Sequence, residues 1–325
     1  MRIALIKSSS MGDVIHALPV VSDLIAARPG IEIDWLVEES FADLPPLHPG
    51  VGQTLTVAVR RWRRTPFAAP VRAEVRGLAR RLRERRYDLA LDLQGLIKSA
   101  WLARLTGAPV AGFDWASARE PLATLAYRHR YAVKRDLHAI ERLRQLAGLA
   151  LGYPVSGLPR FGLRPAALEL PWCPAGPYAV LVHATSRADK QWPVERWVAL
   201  ASRLMAEGVS LVLPSGSEAE RQQAQAIAAQ VARGPGPASL VVAPRMSLAQ
   251  CAAVLSRAGM VVGVDTGLTH LAAALSRPTV ALFAATPGWR FGPYWSPCAA
   301  SLGELGVWPQ PDEVHAALAR LCAAR

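Results

Sequence analysis

The run Val261-Val-Gly-Val-Asp265-Thr-Gly267-Leu-Thr-His270, continued by Leu-Ala-Ala-Ala-Leu275, sets the fold class. Its first residues are apolar or small and read as a strand buried on both faces, as in a parallel sheet covered by helices. A short Asp-Thr-Gly turn then opens directly into an apolar pattern with helical spacing. A strand feeding a helix in this way aims the helix's unpaired N–H groups beyond the strand's carboxyl end, where they form an anion site. Asp265, Thr266, Gly267 and His270 crowd that turn. A carboxylate beside a phosphate-binding turn serves neutral hydroxyls, so the pattern suits a sugar attached to a phosphate. The bland alternative is a tight strand–helix turn that binds nothing.

The same rhythm extends in both directions. Towards the N-terminus the spacing predicts strands at 3–7, 31–37, 55–59 and 89–93, with helices over 13–27, 71–85 and 137–149. A Pro/Gly-rich stretch over 152–177 interrupts it and reads as an interdomain linker. Strands at 178–183, 209–213, 240–242, 261–264 and 279–283 then alternate with further helices. The expectation is an α/β chain of two Rossmann-like βαβ domains facing across a cleft. Their bounds are 1–155 and 178–310, joined by a linker at 156–177, with a closing amphipathic helix in 311–325 that returns to the first domain.

Composition agrees. A chain of 325 residues exceeds one comfortable core, and 51% hydrophobic residues with a mean hydropathy of +0.18 describe a well-cored protein. Asp265, His270 and Arg277 interrupt the best apolar run well short of the roughly 20 residues that a membrane helix needs. The opening Arg2-Ile-Ala-Leu-Ile-Lys7 is too short and too quickly charged for a signal peptide. Cys173, Cys251, Cys298 and Cys322 lack paired spacing, which points to reduced thiols in the cytoplasm and no metal site. The net charge of +12 calls for an acidic partner: nucleic acid, an anionic membrane face or a small acidic substrate. Only four of the 37 basic residues are lysines, and among them Lys190 stands in a loop where a compact ammonium suits a phosphate.

Neither half carries G-x-G-x-x-G after its first strand, nor a P-loop, which argues against a nicotinamide dehydrogenase and a nucleotide hydrolase. What the strand ends do carry is a set of ordered blocks. These are Ser8-Ser-Ser-Met-Gly-Asp13-Val-Ile-His16, Arg60-Arg-Trp-Arg-Arg64, Asp92-Leu-Gln-Gly95-Leu-Ile-Lys98-Ser99 and Asp114-Trp-Ala-Ser-Ala-Arg119-Glu120. His183-Ala-Thr-Ser-Arg-Ala-Asp-Lys190-Gln-Trp-Pro193 and the Val264–His270 turn complete it. Together they resemble the heptosyltransferases of glycosyltransferase family 9, type I more than type II, from residue 1 to about residue 285.

The resemblance implies the GT-B fold and inverting transfer of L-glycero-D-manno-heptose from ADP-heptose to the first Kdo of Kdo2-lipid A, in lipopolysaccharide inner-core synthesis. It implies no required cofactor or metal, no nucleic-acid partner, and work at the anionic cytoplasmic face of the inner membrane. Asp13 becomes the catalytic base; its local alternative is an N-cap of the helix that follows. Thr185, Ser186, Lys190, Glu220, Met246, Asp265, Thr266, Gly267 and His270 become donor-binding residues. From local sequence alone, Lys190 reads equally as a solvated loop lysine and Glu220 as a first-turn glutamate, while Met246 and His270 read as core. Ser10, Gly12, Arg60, Arg61, Arg63, Arg64, Lys98 and Arg119 become acceptor-binding residues, because Arg forks bind carboxylates and phosphates bidentately. An isolated Arg-Arg-Trp-Arg-Arg run reads first as a nucleic-acid or solvated face.

Departures from the family pattern are Ser186 and Ala188, and the loop after Phe283, which leaves donor contacts such as Thr286 open. A type II heptosyltransferase or another nucleotide-sugar transferase is the enzymatic alternative. A nucleic-acid-binding α/β protein is the non-enzymatic one.

Overall fold

The structure, a computed structural model, describes residues 1–232 and 238–323. The chain divides into two compact units, Met1–Arg164 and Pro165–Arg325. In the first unit the strands are β1 (Arg2–Ile6), β2 (Glu32–Glu38), β3 (Gln53–Val57), β4 (Leu89–Asp92), β5 (Val110–Phe113) and β6 (His129–Tyr131). Its helices are α1 (Met11–Ala27), α2 (Val59–Trp62), α3 (Ala69–Glu84), α4 (Ile97–Leu105) and α5 (Ala139–Leu151). The second unit has β7 (Tyr178–Val182), β8 (Ser210–Leu213), β9 (Leu240–Val242), β10 (Met260–Val264), β11 (Thr279–Leu282) and β12 (Ala299–Leu302). Between and after them come α6 (Val194–Ala206), α7 (Glu218–Gln230), α8 (Leu248–Arg257), α9 (Gly267–Ala274), α10 (Gly288–Phe291) and α11 (Pro311–Ala323).

Each unit is one six-stranded, all-parallel sheet, ordered β3-β2-β1-β4-β5-β6 and β12-β11-β10-β7-β8-β9. Both orders are the doubly wound arrangement, in which chain direction across the sheet reverses once. The reversal lies between β1 and β4 in one unit and between β7 and β10 in the other. The inner strands are apolar throughout because helices cover both faces; Ile3–Ile6 and Val261–Val264 are all buried. Connections diverge at the reversal point, so a crevice opens there beyond the strands' carboxyl ends.

The structure adds elements that periodicity does not announce. Helix α4 and strands β5, β6 and β12 are short, and α4 buries Ser99, Ala100, Leu102 and Ala103 while exposing Ile97, Trp101 and Arg104. Strand β3 stops at Val57, and Val59–Trp62 turns into helix instead of extending the strand.

The closing helix packs within the second unit. Val314, Ala317 and Leu318 enter the core of the second unit beside Trp197, Leu200 and Leu204 of α6. Arg203 Nη1 donates to Asp312 Oδ1 (2.6 Å), and His315 meets Glu207 at 2.8 Å. Its apolar stripe is filled by α6, β10 and β11 of the second unit. Residues 324 and 325 of the segment lie outside the described residues.

Residues 152–177 contain no helix or strand, and the division between units falls within them. Their first part is tied to the first unit. Buried Arg144 donates to the Ser156 and Gly157 carbonyls while pairing with Asp23, and the Arg164 N–H donates to the Leu47 carbonyl.

Candidate active site

At the first reversal point, β1 ends in Lys7-Ser-Ser-Ser10 and β4 ends at Asp92. Asp92 is fully buried and organises the turn that follows it. It accepts from Tyr127 Oη (2.6 Å), Ser99 Oγ (2.8 Å) and the Gln94 N–H (2.8 Å). Burial pushes its carboxyl up from the usual range, against those hydrogen bonds. The turn needs Gly95, whose φ is +67° and whose missing side chain leaves room for the Phe113 ring and the Arg119 N–H. Gln94, thus fixed, accepts from both the N–H (2.8 Å) and the hydroxyl (2.9 Å) of Ser8. Lys98 Nζ donates to Ser9 Oγ at 2.8 Å. The Asp92–Ser99 block is therefore a brace for the serine loop.

The braced loop delivers Asp13. Ser10 is the N-cap of α1, and both its N–H (3.1 Å) and its hydroxyl (2.7 Å) donate to Asp13 Oδ2. On the other side Lys7 Nζ lies 3.4 Å from Asp13 Oδ1 and 3.4 Å from the Leu93 carbonyl. Burial alone raises the Asp13 carboxyl. The Lys7 ammonium and the Ser10 hydrogen bonds outweigh it and hold the group well below the usual carboxylate range. The capping alternative is corrected: Ser10 holds the N-cap position, and Asp13 sits inside the helix at its third position, where it accepts from Ser10 and keeps its charge. Lys7 is what sequence reasoning missed; a lysine closing an apolar strand was the available signal.

The basic run separates by direction. Trp62 is buried in the core, donates Nε1–H to Glu74 (2.9 Å) and meets Trp101 edge-on. Arg61 forks onto Glu74 (2.8 and 2.9 Å) and also reaches Glu39 (3.2 Å). That fork holds the Glu74 carboxyl down to about 2. Arg61 thus ties α2 to α3 in this structure. Arg60 lies over the Phe41 ring, and Arg63 and Arg64 are exposed. Arg60, Arg63, Glu38 and Asp13 are all close enough to Lys98 to act on its charge, and burial lowers the Lys98 ammonium from its usual value. The backbone of Arg119 lies against Gly95, and Gly12 sits half-buried in the first turn of α1. Asp13, Ser10, Gly12, Arg60, Arg63, Lys98 and Arg119 thus gather at the carboxyl edge of one sheet.

At the second reversal point Asp265 follows β10 and Lys190 ends the loop after β7. Lys190 Nζ and Thr286 Oγ1 each donate to Asp265 Oδ2 at 2.5 Å, and His270 Nε2 lies 3.1 Å from Oδ1. Burial alone raises the Asp265 carboxyl; His270, Lys190 and Thr286 together hold it well below the usual range. Thr286 joins this cluster because β11 pairs with β10 in register, Leu282 against Val264, so the loops after both strands emerge side by side. The divergent loop after Phe283 thus brings Thr286 against Asp265. Asp189 pairs with Arg187 in the Lys190 loop, where Ala188 has no carboxylate.

Thr185 is half-buried and Ser186 exposed just beyond β7. Thr266 caps α9 and Gly267 begins it. Glu220 accepts the Gly216 N–H (2.6 Å), so it orders the first turn of α7 as well as facing that loop. Its main-chain carbonyl meets buried His183 Nε2 at 3.1 Å, tying α7 to the end of β7. Met246 is half-buried beyond β9 and precedes Ser247, the cap of α8. Among the described residues no group of three or more His, Cys, Asp or Glu gathers to hold a metal ion.

Two reversal points, one offering an ionised carboxylate beside a buried lysine and the other a cation–carboxylate pair at a helix start, suit glycosyl transfer. Comparison with known proteins agrees: glycosyltransferase family 9 (heptosyltransferase) matches residues 75–317. Lipopolysaccharide heptosyltransferase 1 of Pseudomonas aeruginosa is 48% identical, covering 89% of this chain and 80% of that protein.

The chain belongs to glycosyltransferase family 9.

Within the family, lipopolysaccharide heptosyltransferase 1 of Escherichia coli K12 is 42% identical, covering 90% of this chain and 91% of that protein. The solved E. coli heptosyltransferase WaaC with ADP superposes with a TM-score of 0.88 at 37% identity, covering 99% of this chain and all of that one. The same enzyme with ADP-2-deoxy-2-fluoro heptose gives 0.81 at 38% identity over 94% of each chain. A family 9 chain is a GT-B enzyme, and the paired doubly wound sheets are its two Rossmann-like halves.

Proposed function

We propose that this protein moves L-glycero-D-manno-heptose from ADP-heptose to the first Kdo of Kdo2-lipid A, with inversion at the anomeric carbon. The observation that carries the reading is the Lys190–Asp265 pair at the start of α9. A point charge suited to a diphosphate and an ionised carboxylate suited to sugar hydroxyls stand side by side there, which supports the reading. Relatives 42–48% identical named lipopolysaccharide heptosyltransferase 1, and a solved relative holding an ADP-heptose analogue, support the same donor.

In the reaction Asp13 takes the proton of the acceptor hydroxyl as its oxygen forms a bond to the anomeric carbon. The bond from that carbon to the diphosphate breaks, and ADP leaves with the electron pair. Lys190, the hydroxyls of Thr185 and Ser186, and the N–H groups opening α9 stabilise the charge that develops there. Asp265 and Thr286 orient the heptose hydroxyls, and Glu220 and Met246 flank the nucleoside. Arg60, Arg63, Arg64, Lys98 and Arg119 receive the acceptor's carboxylate and phosphates, with Ser10 and Gly12 against the sugar.

No divalent ion is required in this scheme, since Lys190 and the α9 amides do its work. Incubation with ADP-heptose and Kdo2-lipid A is expected to add one heptose to the acceptor by mass spectrometry, and EDTA is expected to leave most of that activity. Transfer to a different acceptor alone would reassign the enzyme within its family, and strict dependence on added metal would overturn the charge assignment.

A further inference from the structure

Helix α4 and the short 3-10 helix Pro121–Ala126 pack side by side and leave apolar side chains in water. On α4, Ile97 and Trp101 stand one turn apart on the exposed face. On the neighbouring turn Leu122 and Leu125, three residues apart, are 58% and 71% exposed. Phe67, four residues past Arg63 in the loop after α2, is 86% exposed. The edge contact of Trp101 with Trp62 brings that loop against α4. Exposed leucines are ordinary singly; five large apolar side chains on adjoining short elements are not.

The rim of this face is cationic. Arg104 shares the exposed face of α4, Arg119 precedes the 3-10 helix, and Arg63 and Arg64 follow Trp62. Among the described residues none of these four arginines forms an ion pair with a carboxylate, whereas neighbouring Arg61 has two. The carboxylate at the edge, Glu120, accepts the Ile97 N–H at 2.7 Å. Arginines set around protruding Trp, Leu, Ile and Phe fit a surface that is anionic outside and apolar within.

We propose that this face docks on an anionic phospholipid bilayer, with Phe67, Ile97, Trp101, Leu122 and Leu125 entering the headgroup–acyl boundary and the arginines meeting lipid phosphates. The assignment deepens the reading above, in which the acceptor is carried on a lipid, and it names the side of the first unit that meets the membrane. Charge alone would hold the protein loosely and release it in salt; the apolar insertion makes the contact persist.

Flotation with phosphatidylglycerol–phosphatidylcholine vesicles, without donor or acceptor, tests the face separately from transfer. Wild type is expected to float with these vesicles and not with phosphatidylcholine alone, and to keep part of its binding in salt. The double variant Leu122→Asp, Leu125→Asp is expected to lose about tenfold or more of that partitioning, since two leucines leave the boundary. Phe67→Ser, at a fully protruding loop position, is expected to show a smaller loss of the same kind. Thermal melting matching wild type establishes that the variants are folded. Turnover of acceptor embedded in vesicles falls with binding, while turnover of detergent-dispersed acceptor is unchanged. Equal flotation of wild type and variants, or no flotation of wild type, would overturn the proposal. So would a dimer in sedimentation equilibrium that the double variant abolishes, which would assign the face to a second copy. Absence of heptose transfer with flotation intact would sink the transfer reading and leave the docking face standing.

Discussion

Lys7 and Asp13 show how one residue sets the working state of another. An aspartate at the third position of a helix, capped by Ser10, is ordinary; one that also faces a buried ammonium is held ionised far into acid. An ionised carboxylate is ready to accept a proton, and its attraction for Lys7 keeps it a weak base until an acceptor hydroxyl approaches. Asp13→Ala is expected to lower kcat by about 10²–10⁴ and leave ADP binding within a few-fold, measured by steady-state kinetics and calorimetry. Lys7→Met separates charge from position. Removing the cation while the burial stays lets the Asp13 carboxyl rise, because burial disfavours the charged form. The stabilisation of the folded state from this low pKa is present above the usual carboxylate range and disappears only as pH falls through the folded value. The acid limb of kcat/KM should therefore be absent in wild type down to about pH 5 and should move up in Lys7→Met. An unchanged profile would mean that Lys7 does not govern Asp13.

Among the elements, the β10–turn–α9 unit explains why Gly263 stands in an otherwise apolar strand. A Cβ there would lie 2.1 Å from Thr269 Oγ1 and 2.9 Å from Val182 Cβ. The missing side chain lets α9 fold back so that Thr269 Oγ1 donates to the Val264 carbonyl at 2.7 Å. Gly263→Ala must push α9 away from the sheet, and about 1–3 kcal/mol of stability is expected to go with it. Thermal melting checks the loss, and the ADP dissociation constant should rise, since Thr266, Gly267 and His270 move with the helix. The short α2 makes a second test. Arg63→Ala with Arg64→Ala is expected to raise the acceptor KM about tenfold or more with the donor KM unchanged, because bidentate anion contacts are lost. Arg61→Ala is expected to leave both KM values close to wild type, its fork being turned to Glu74 and Glu39. An equal rise in both KM values for the Arg63 and Arg64 pair would reduce the run to general electrostatics.

Across the molecule, the +12 charge invites any polyanion, while the reversal-point clusters select one. ADP at about 100 times its dissociation constant should stabilise the fold by roughly 2.7 kcal/mol, whereas duplex DNA should shift melting less and lose its effect in salt. Differential scanning fluorimetry in low and high salt decides between them, and stronger protection by DNA in salt would reopen the nucleic-acid reading.

Much of this architecture was legible beforehand. Apolar strands, glycine turns and helix starts at 1–27 and 261–275 carry their geometry in local spacing, and so both doubly wound halves could be read. Asp13, Asp265 and His270 lie in those same stretches and Lys190 in the loop after β7, hence their early selection. Gln94 and Thr286 were not selected, because each acts through a partner brought close by strand order, β4 beside β1 and β11 beside β10. Lys7 lies only six residues from Asp13, and what the spacing does not record is the burial that turns its ammonium onto that carboxylate. What the closing helix packs on was not legible for a like reason, since an amphipathic stripe shows that a face will be buried and not what buries it.

By itself, then, the amino-acid order determined the alternation of strands and helices, the Gly-bearing turns and the residue types at the strand ends, all encoded within a few neighbours along the chain. Which arginines are already paired, which lysine governs Asp13, and where the last helix rests were decided only by tertiary structure. Those outcomes depend on burial and on which charges meet in space, whether six residues apart, as Lys7 and Asp13 are, or more than a hundred, as the last helix and α6 are, and spacing along the chain records neither.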